Sequence, residues 1–245
     1  MNNYNLGFIS GQDIYNHVRE TVIRYASHMD LKKFNKNIVD PIKLTFDQKV
    51  SGTSIDDVIR FECLRQEDKA NNNHIGYFHQ NIFRYAGNGW KVPSTGFDVI
   101  NDNLHYYVEM KNKHNTMNSA SAQRTYIKMQ NKILEDDQAT CILVEVIAKH
   151  SQNIKWKASI DNRPMSHNKI RRMSMDKFYE LVFGDSRAFF KLCKALPMIL
   201  DDVVTDISRE NATNTVLEEL QQISPDITKS LYLLAFSEYE GFNDF

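Results

Sequence analysis

The sequence predicts an α/β fold of the mixed-sheet (α+β) kind, a β-sheet flanked by helices, with further helical material at both ends of a 245-residue chain. Three observations predict it. Apolar residues recur at helical spacing near both termini. Two short runs between Gly96 and Lys111 read as strands separated by turn residues. One run, Ala139 to Ala148, is almost continuously apolar, as expected of a strand covered on both faces.

The elements follow in order. Residues 12–35 read as a helix, with Ile14, Val18, Val22 and Tyr25 at spacings of four, four and three. Pro41 breaks the chain. Thr53-Ser54 can cap a helix from about Ile55, with Val58, Ile59 and Cys63 inward and Leu64 a further candidate, and Asn71-Asn72-Asn73 interrupts it. His74 to Tyr85 is helical again and ends at Gly87-Asn88-Gly89. Gly96 to Ile100 and Leu104 to Lys111 form a hairpin turned by Asn101-Asp102-Asn103. Ser119 to Asp136 is a helix on Ala122, Tyr126, Met129 and Ile133, and its other side carries Arg124, Lys128 and Lys132. After the apolar strand comes a basic loop. Ser174 then caps a helix from Met175 through Val182, and further helices follow with a break at Ser224-Pro225. The expected organisation is one domain over 1–245, with a core at about 54–175 and helical extensions at 1–50 and 175–245.

Composition narrows the class. Hydrophobic residues make up 42% and charged residues 25%, enough to bury a core. No apolar run approaches the roughly 20 residues of a membrane span. Met1 to Asn5 lacks the basic-then-apolar pattern of a signal peptide. Cys63, Cys141 and Cys193 lie far apart, which argues against a disulfide framework or a zinc site and fits a reducing cytoplasm. The histidines show no HxH or HxxxH spacing. Without a Gly-rich phosphate loop or a GxSxG elbow, ATP use and serine hydrolysis lack support. Net charge is −1, but it is unevenly spread. Residues 149–172 are strongly basic and residues 201–245 strongly acidic. One reading is a face that meets phosphate and another turned away from it; solvated faces of unlike sign explain the charges equally well.

The sharpest chemistry lies in the hairpin. Alternation places Tyr107, Glu109 and Lys111 on one face of a strand and Val108 and Met110 on the other. A hairpin folded about Asp102 sets Asp98 across from Glu109 and Lys111. Two carboxylates and an ammonium then converge, which is costly on a half-buried sheet unless compensated. Mg²⁺ suits one or two carboxylates plus a substrate phosphate. Such an ion polarises a phosphoryl oxygen and lowers the pKa of water. Lys111 can hold that water and stabilise charge on the attacked phosphate. The chemistry favoured is phosphodiester hydrolysis. Glu-x-Lys on a strand is also a common solvated charge pattern; its place before a helix and a buried strand gives it weight.

The residues of Ile75 to Phe83, Gly96 to Val99, Val108 to Asn118 and Leu143 to Lys149 carry a resemblance that spans roughly residues 60–200. The chain resembles the type II restriction endonucleases that recognise GG-N-CC and related sites, within the PD-(D/E)xK nuclease superfamily. The run Lys111-Asn112-Lys113-His114-Asn115-Thr116-Met117-Asn118 is far more specific than Glu-x-Lys alone. The resemblance implies Asp98 and Glu109 as metal ligands, the Met110 carbonyl as another, and Lys111 as the catalytic lysine. Phe97 stands where the motif has proline, a position that varies widely. Several relatives place a helix carboxylate near the metal; Glu62 is the candidate here, and a surface position explains it as well. The implied cofactor is Mg²⁺, with Mn²⁺ as a substitute. The implied substrate is double-stranded DNA, cut to leave a 5′-phosphate. The implied partners are a second copy of the chain, since a palindrome suits a two-fold homodimer, and a cognate DNA methyltransferase. The implied location is a prokaryotic cytoplasm. Leu231, Leu233, Leu234 and Phe236 could form the dimer face, or serve the core. A repair or structure-specific endonuclease of the same fold is the alternative reading.

Asn, Gln, Arg and Lys offer groups that base edges and phosphates match. Lys113, Asn115 and Asn118 directly follow the catalytic strand, although Asn118 also suits a helix cap. Arg124 and Lys128, one helical turn apart, can meet phosphates or form a solvated face. Gln152, Asn153 and Lys155 read as a second DNA-contacting segment, and Arg171-Arg172 as a backbone clamp. Trp156 reads as core or contact, His79 as a packed core histidine, and Glu145 as a core residue paired with a base, or else as one near the active centre, the structural role being preferred.

Overall fold

The computed structural model describes residues 4–25, 28–161, 163–207, 213–239 and 242. Met1 to Asn3, part of the opening segment read above, lie outside them. In chain order the elements are α1 (Gly11–Arg24), β1 (His28–Met29), α2 (Leu31–Asn35), α3 (Pro41–Ser51), α4 (Ile55–Asn81), β2 (Trp90–Lys91), β3 (Val99–Asn101), β4 (Tyr106–Lys113), α5 (Ser119–Glu135), β5 (Thr140–Ile147), β6 (Asn153–Ile160), β7 (Arg163–Ser174), α6 (Met175–Phe183), α7 (Ala188–Asp206), β8 (Thr213–Asn214), α8 (Val216–Ile223) and α9 (Ile227–Phe236). They gather into two compact units, Met1–Ile23 with Ile75–Ile207 and Arg24–His74 with Ser208–Phe245. The divisions fall at the end of α1, inside α4 and after α7.

The first unit holds a mixed sheet in the order β2-β3-β4-β5-β7-β6. β4, β5 and β7 are parallel, while β3 runs antiparallel to β4 and β6 to β7. The expected hairpin forms, with Val99 opposite Val108 and Ile100 opposite Tyr107. Its turn uses a buried Asn101, whose Oδ1 accepts the Leu104 N–H at 3.1 Å and whose Nδ2 donates to the Asn88 carbonyl at 3.0 Å. That is the local role Asn plays in turns. Residues Cys141 to Glu145 of β5 are all buried, as the continuous apolar run predicts. One face of the sheet packs Val108, Ile142, Val144 and Met173 against α1, α6 and α7. The other packs Tyr107, Cys141, Leu143 and Ile170 against Tyr126 and Met129 of α5.

Several expectations are corrected. The basic stretch after β5 is the long β6–β7 hairpin and not a loop. The helix expected over 12–35 ends at Arg24, before β1 and the short α2. Pro41 opens α3 instead of interrupting the chain, because Pro fits the first helical turn and the Asp40 carboxylate caps Ile42 and Lys43. α4 continues through Asn71-Asn72-Asn73. Its start is as expected, with Ser54 Oγ accepting the Asp57 N–H at 3.2 Å. Val58, Ile59 and Cys63 are buried, but Leu64 is exposed. Ser174 stands at the start of α6, yet its hydroxyl accepts the Gln152 N–H rather than a helix N–H.

The second unit has its own core. Met29, Phe34, Leu44, Val58, Ile59, Val216, Leu220, Ile227 and Leu231 are buried together, and Leu234 packs against them. Leu231 and Leu234 therefore serve that core. β1 and β8 pair in parallel at its edge, His28 with Thr213.

Candidate active site

The α5 side of the sheet changes character along each parallel strand. β4 shows Tyr107, then Glu109 and Lys111. β5 shows Cys141 and Leu143, then Glu145. β7 shows Ile170, then Arg172 and Ser174. The register sets these residues side by side: Lys111 beside Glu145, Leu143 beside Arg172, Glu145 beside Ser174. The apolar ends lie under α5. The charged ends lie at the carboxyl ends of the parallel strands, the usual place for a ligand in such sheets. Burial pushes the Cys141 thiol up to about 12, so it stays a neutral packing group.

At that charged end the hairpin brings the predicted carboxylates together. The Asp98 N–H donates to the Val108 carbonyl at 2.9 Å, one position out of step with the Val99–Val108 register, so Asp98 enters β3 off the regular ladder. Asp98 Oδ2 accepts the Met110 N–H at 2.7 Å, and Gln80 Nε2 of α4 donates to the Asp98 carbonyl at 2.9 Å. A strand residue's N–H and C=O point to the same side, so the Met110 carbonyl opens toward Asp98 as well. Glu109 is only 8% exposed.

Two ammonium groups lie on that buried acid. Lys111 Nζ is 3.7 Å from Glu109 Oε2. Lys128 Nζ, from α5, meets Glu109 Oε1, donates to the Gly96 carbonyl at 2.8 Å and stands 4.4 Å from the centre of the Phe97 ring. One turn on, Lys132 stands 4.4 Å over Tyr107. The side of α5 expected to face solvent thus sets two lysine ammonium groups over aromatic rings, with Arg124 left exposed. Among the described residues no third His, Cys, Asp or Glu joins the carboxylates in a three-ligand cluster. Two hard oxygen donors, with a carbonyl beside them, fit a cation that keeps waters and takes substrate oxygens.

The predicted DNA-contacting residues divide into free and engaged. Lys113, Asn115, Arg124 and Lys155 are exposed. Asn118 caps α5, its Oδ1 accepting the Ser121 N–H at 2.8 Å. Gln152 is held to Ser174 through its N–H and carbonyl. Asn153 and Arg171 are bonded to each other, at 3.0 Å from Nε to Oδ1. Arg172 turns inward to the wholly buried Glu145, the pairing expected for that acid. Trp156 is core, 4% exposed and edge-on to Tyr126. Glu62 belongs to the second unit, where Arg65 and Gln66 bind its carboxylate. Burial raises its pKa, but those bonds outweigh it and hold the acid below the usual range.

Sequence reasoning missed the inward turn of Lys128 and the grip of Gln80 on Asp98. The lysine's signal was its place one turn from Arg124 on the flank of the apolar stripe. Gln80 had no signal beyond lying within Ile75 to Phe83.

Comparison with known proteins shows the family. The model of the Eco47II restriction endonuclease family matches residues 6–205, a span that takes in the whole large sheet. The chain is similar to the type II restriction enzyme Sau96I of Staphylococcus aureus, 30% identical over 235 residues, which cover 91% of this chain and 90% of that protein. It is also similar to the type II restriction enzyme Eco47II of Escherichia coli, 25% identical over 214 residues, 82% of this chain and 89% of that one. The chain therefore belongs to the Eco47II restriction endonuclease family, as a type II restriction endonuclease that hydrolyses DNA.

Proposed function

We propose that this endonuclease hydrolyses phosphodiesters of double-stranded DNA at a short palindromic site of GG-N-CC type, leaving a 5′-phosphate, from a PD-(D/E)xK centre. Asp98, Glu109 and the Met110 carbonyl hold Mg²⁺, with Mn²⁺ as a substitute, and Lys111 is the catalytic lysine. The observation that carries this is the Asp98 carboxylate on the Met110 N–H at 2.7 Å, next in sequence to Glu109, with the Lys111 ammonium 3.7 Å from Glu109 at the carboxyl end of β4. When bound, the ion supplies Lewis acidity toward the phosphoryl oxygens. The chain does the rest. Met110 N–H and Gln80 fix Asp98 before substrate arrives, so little reorganisation is needed. Lys111 holds the attacking water and stabilises negative charge developing on the phosphate. Lys128 adds a second positive charge beside the same carboxylate.

Lys113, Asn115, Arg124 and Lys155 are the exposed groups available to DNA on this reading. A palindrome presents the same half-site twice, which favours a homodimer cutting one strand per subunit. The enzyme works in a prokaryotic cytoplasm beside a cognate DNA methyltransferase; its relatives are bacterial, and no described helix is long and apolar enough to cross a membrane. The site type rests on the family resemblance. The test is digestion of phage DNA by the purified chain with Mg²⁺, beside Lys111→Ala. Discrete bands lost in the variant are expected. A smear or structure-dependent nicking would favour a repair nuclease, and undiminished cleavage by Lys111→Ala would overturn the site.

A further inference from the structure

Glu145 is wholly buried near the end of β5, beside Lys111 in the register. Its Oε1 accepts a hydrogen bond from Arg172 Nη2, and the same nitrogen donates to the His114 carbonyl at 3.1 Å. The His114 N–H donates to the Ile147 carbonyl at 3.1 Å. Both polar main-chain groups of the first residue after β4 are therefore tied to neighbouring strands. Four residues further on, Asn118 pins the other end of the loop by capping α5.

The pair is poorly built for stability. Glu145 Oε2 and Arg172 Nε meet no hydrogen-bond partner among the described residues. A buried ion pair with unsatisfied atoms gains little over apolar side chains of similar volume. What it does achieve is placement. We infer that Glu145 and Arg172 form a buried strut that positions the loop 113–118 against the catalytic strand, so that Lys113 and Asn115 reach DNA in register with Lys111. The inference rests on the reading of that loop as a DNA contact. Glu145 and Arg172 are positioning residues, acting through His114.

The test uses the full chain and two variants. Glu145→Gln/Arg172→Met removes both charges and so leaves no buried ion unpaired. Arg172→Lys keeps the charge for Glu145 but shortens the side chain, drawing the donor away from the Nη2 position that also reaches His114. Three readouts are taken: thermal unfolding, hydrogen exchange of the His114 and Thr116 amides without DNA, and kcat and KM on a duplex carrying one GG-N-CC site, beside a duplex with one base pair changed. The strut predicts an uncharged variant that melts at or above the wild-type temperature while its loop amides exchange roughly ten-fold faster. It predicts kcat/KM on the intact site lower by roughly ten-fold or more, with narrower discrimination against the altered duplex. Arg172→Lys should show the same loosened loop. Wild-type exchange and wild-type discrimination in both variants would overturn the strut. A loosened loop in a protein whose wild type cuts no DNA would instead overturn the recognition role, and the exchange data tell these two failures apart.

Discussion

Lys128 lies on Glu109, its ammonium against Oε1 while Lys111 approaches Oε2 at 3.7 Å. One nearly buried carboxylate thus carries two cations. They supply the compensation that a buried acid requires. A divalent ion held by Asp98 and Glu109 would have to share or displace them. Lys128 is the one with other contacts to fall back on, the Gly96 carbonyl and the Phe97 ring. Lys128→Met keeps the apolar stem over that ring and removes the competing charge. Binding of Mn²⁺ to the DNA-free protein, followed by calorimetry, should tighten by roughly ten-fold, the effect of one nearby unit charge in a partly screened site. Unchanged or weaker binding would show that Lys128 does not compete for the acid.

Asp98 offers a cleaner separation of charge from structure. Its Oδ2 accepts the Met110 N–H at 2.7 Å, and an asparagine oxygen can accept the same bond. Asp98→Asn should therefore melt within a few degrees of wild type, since only the charge is lost. Plasmid cleavage should fall by roughly a hundred-fold or more, the scale seen when a group aimed at the transition state is removed. A variant that melts normally and still cuts at the wild-type rate would remove Asp98 from the centre.

How much of this is legible in the sequence depends on the range of the interaction. The approach of Asp98 to the main chain at Met110, beside Glu109, is local: two short strands and one turn bring them together. β5 shows itself because both faces are covered, so apolar residues run unbroken from Cys141 to Val144. The β6–β7 hairpin hides because lysines stand at alternate exposed positions in the middle of β6. Lys155 and Lys157 alternate with the buried Trp156 and Ala158, and the charge is more conspicuous than the period. Arg172 and Glu145 are 27 residues apart. Only the parallel pairing of β5 with β7 makes them neighbours, and no local pattern announces that register. Helical periodicity puts Lys128 on the flank of α5, but which flank overlies the charged end of the sheet is a tertiary fact.

The same hairpin gives a prediction for DNA binding. Lys155 and Lys157 are exposed while Trp156 between them and Ala158 after them do the packing. The double variant Lys155→Ala/Lys157→Ala should therefore fold normally. If each lysine neutralises one phosphate, the slope of log K against log salt should become shallower by about 1.8, at roughly 0.9 per phosphate contact. Fluorescence anisotropy with a duplex in Ca²⁺, across a salt series, measures it. An unchanged slope would place the hairpin off the DNA.

Stability against acid should depend on two histidines, His79 of α4 and His17 of α1. Burial holds His79 at about 4, below its ordinary 6.5, with His17 adding to the effect. His79 Nδ1 has no hydrogen-bond partner among the described residues. Burial also lowers His17, opposed in part by its hydrogen bond with the Phe78 carbonyl at 2.9 Å. Between 6.5 and about 4 the unfolded chain binds a proton at position 79 that the folded chain refuses. Stability therefore falls as pH drops through that window, and this contribution is fully present above it. The loss attached to His79 is at most about 3.5 kcal/mol, at roughly 1.4 kcal/mol per pKa unit. Melting temperatures measured between about pH 7.5 and 4.5 should decline for wild type and decline less for His79→Leu, which has no proton to bind at that position. Parallel curves for the two proteins would mean that His79 is not held neutral by its surroundings.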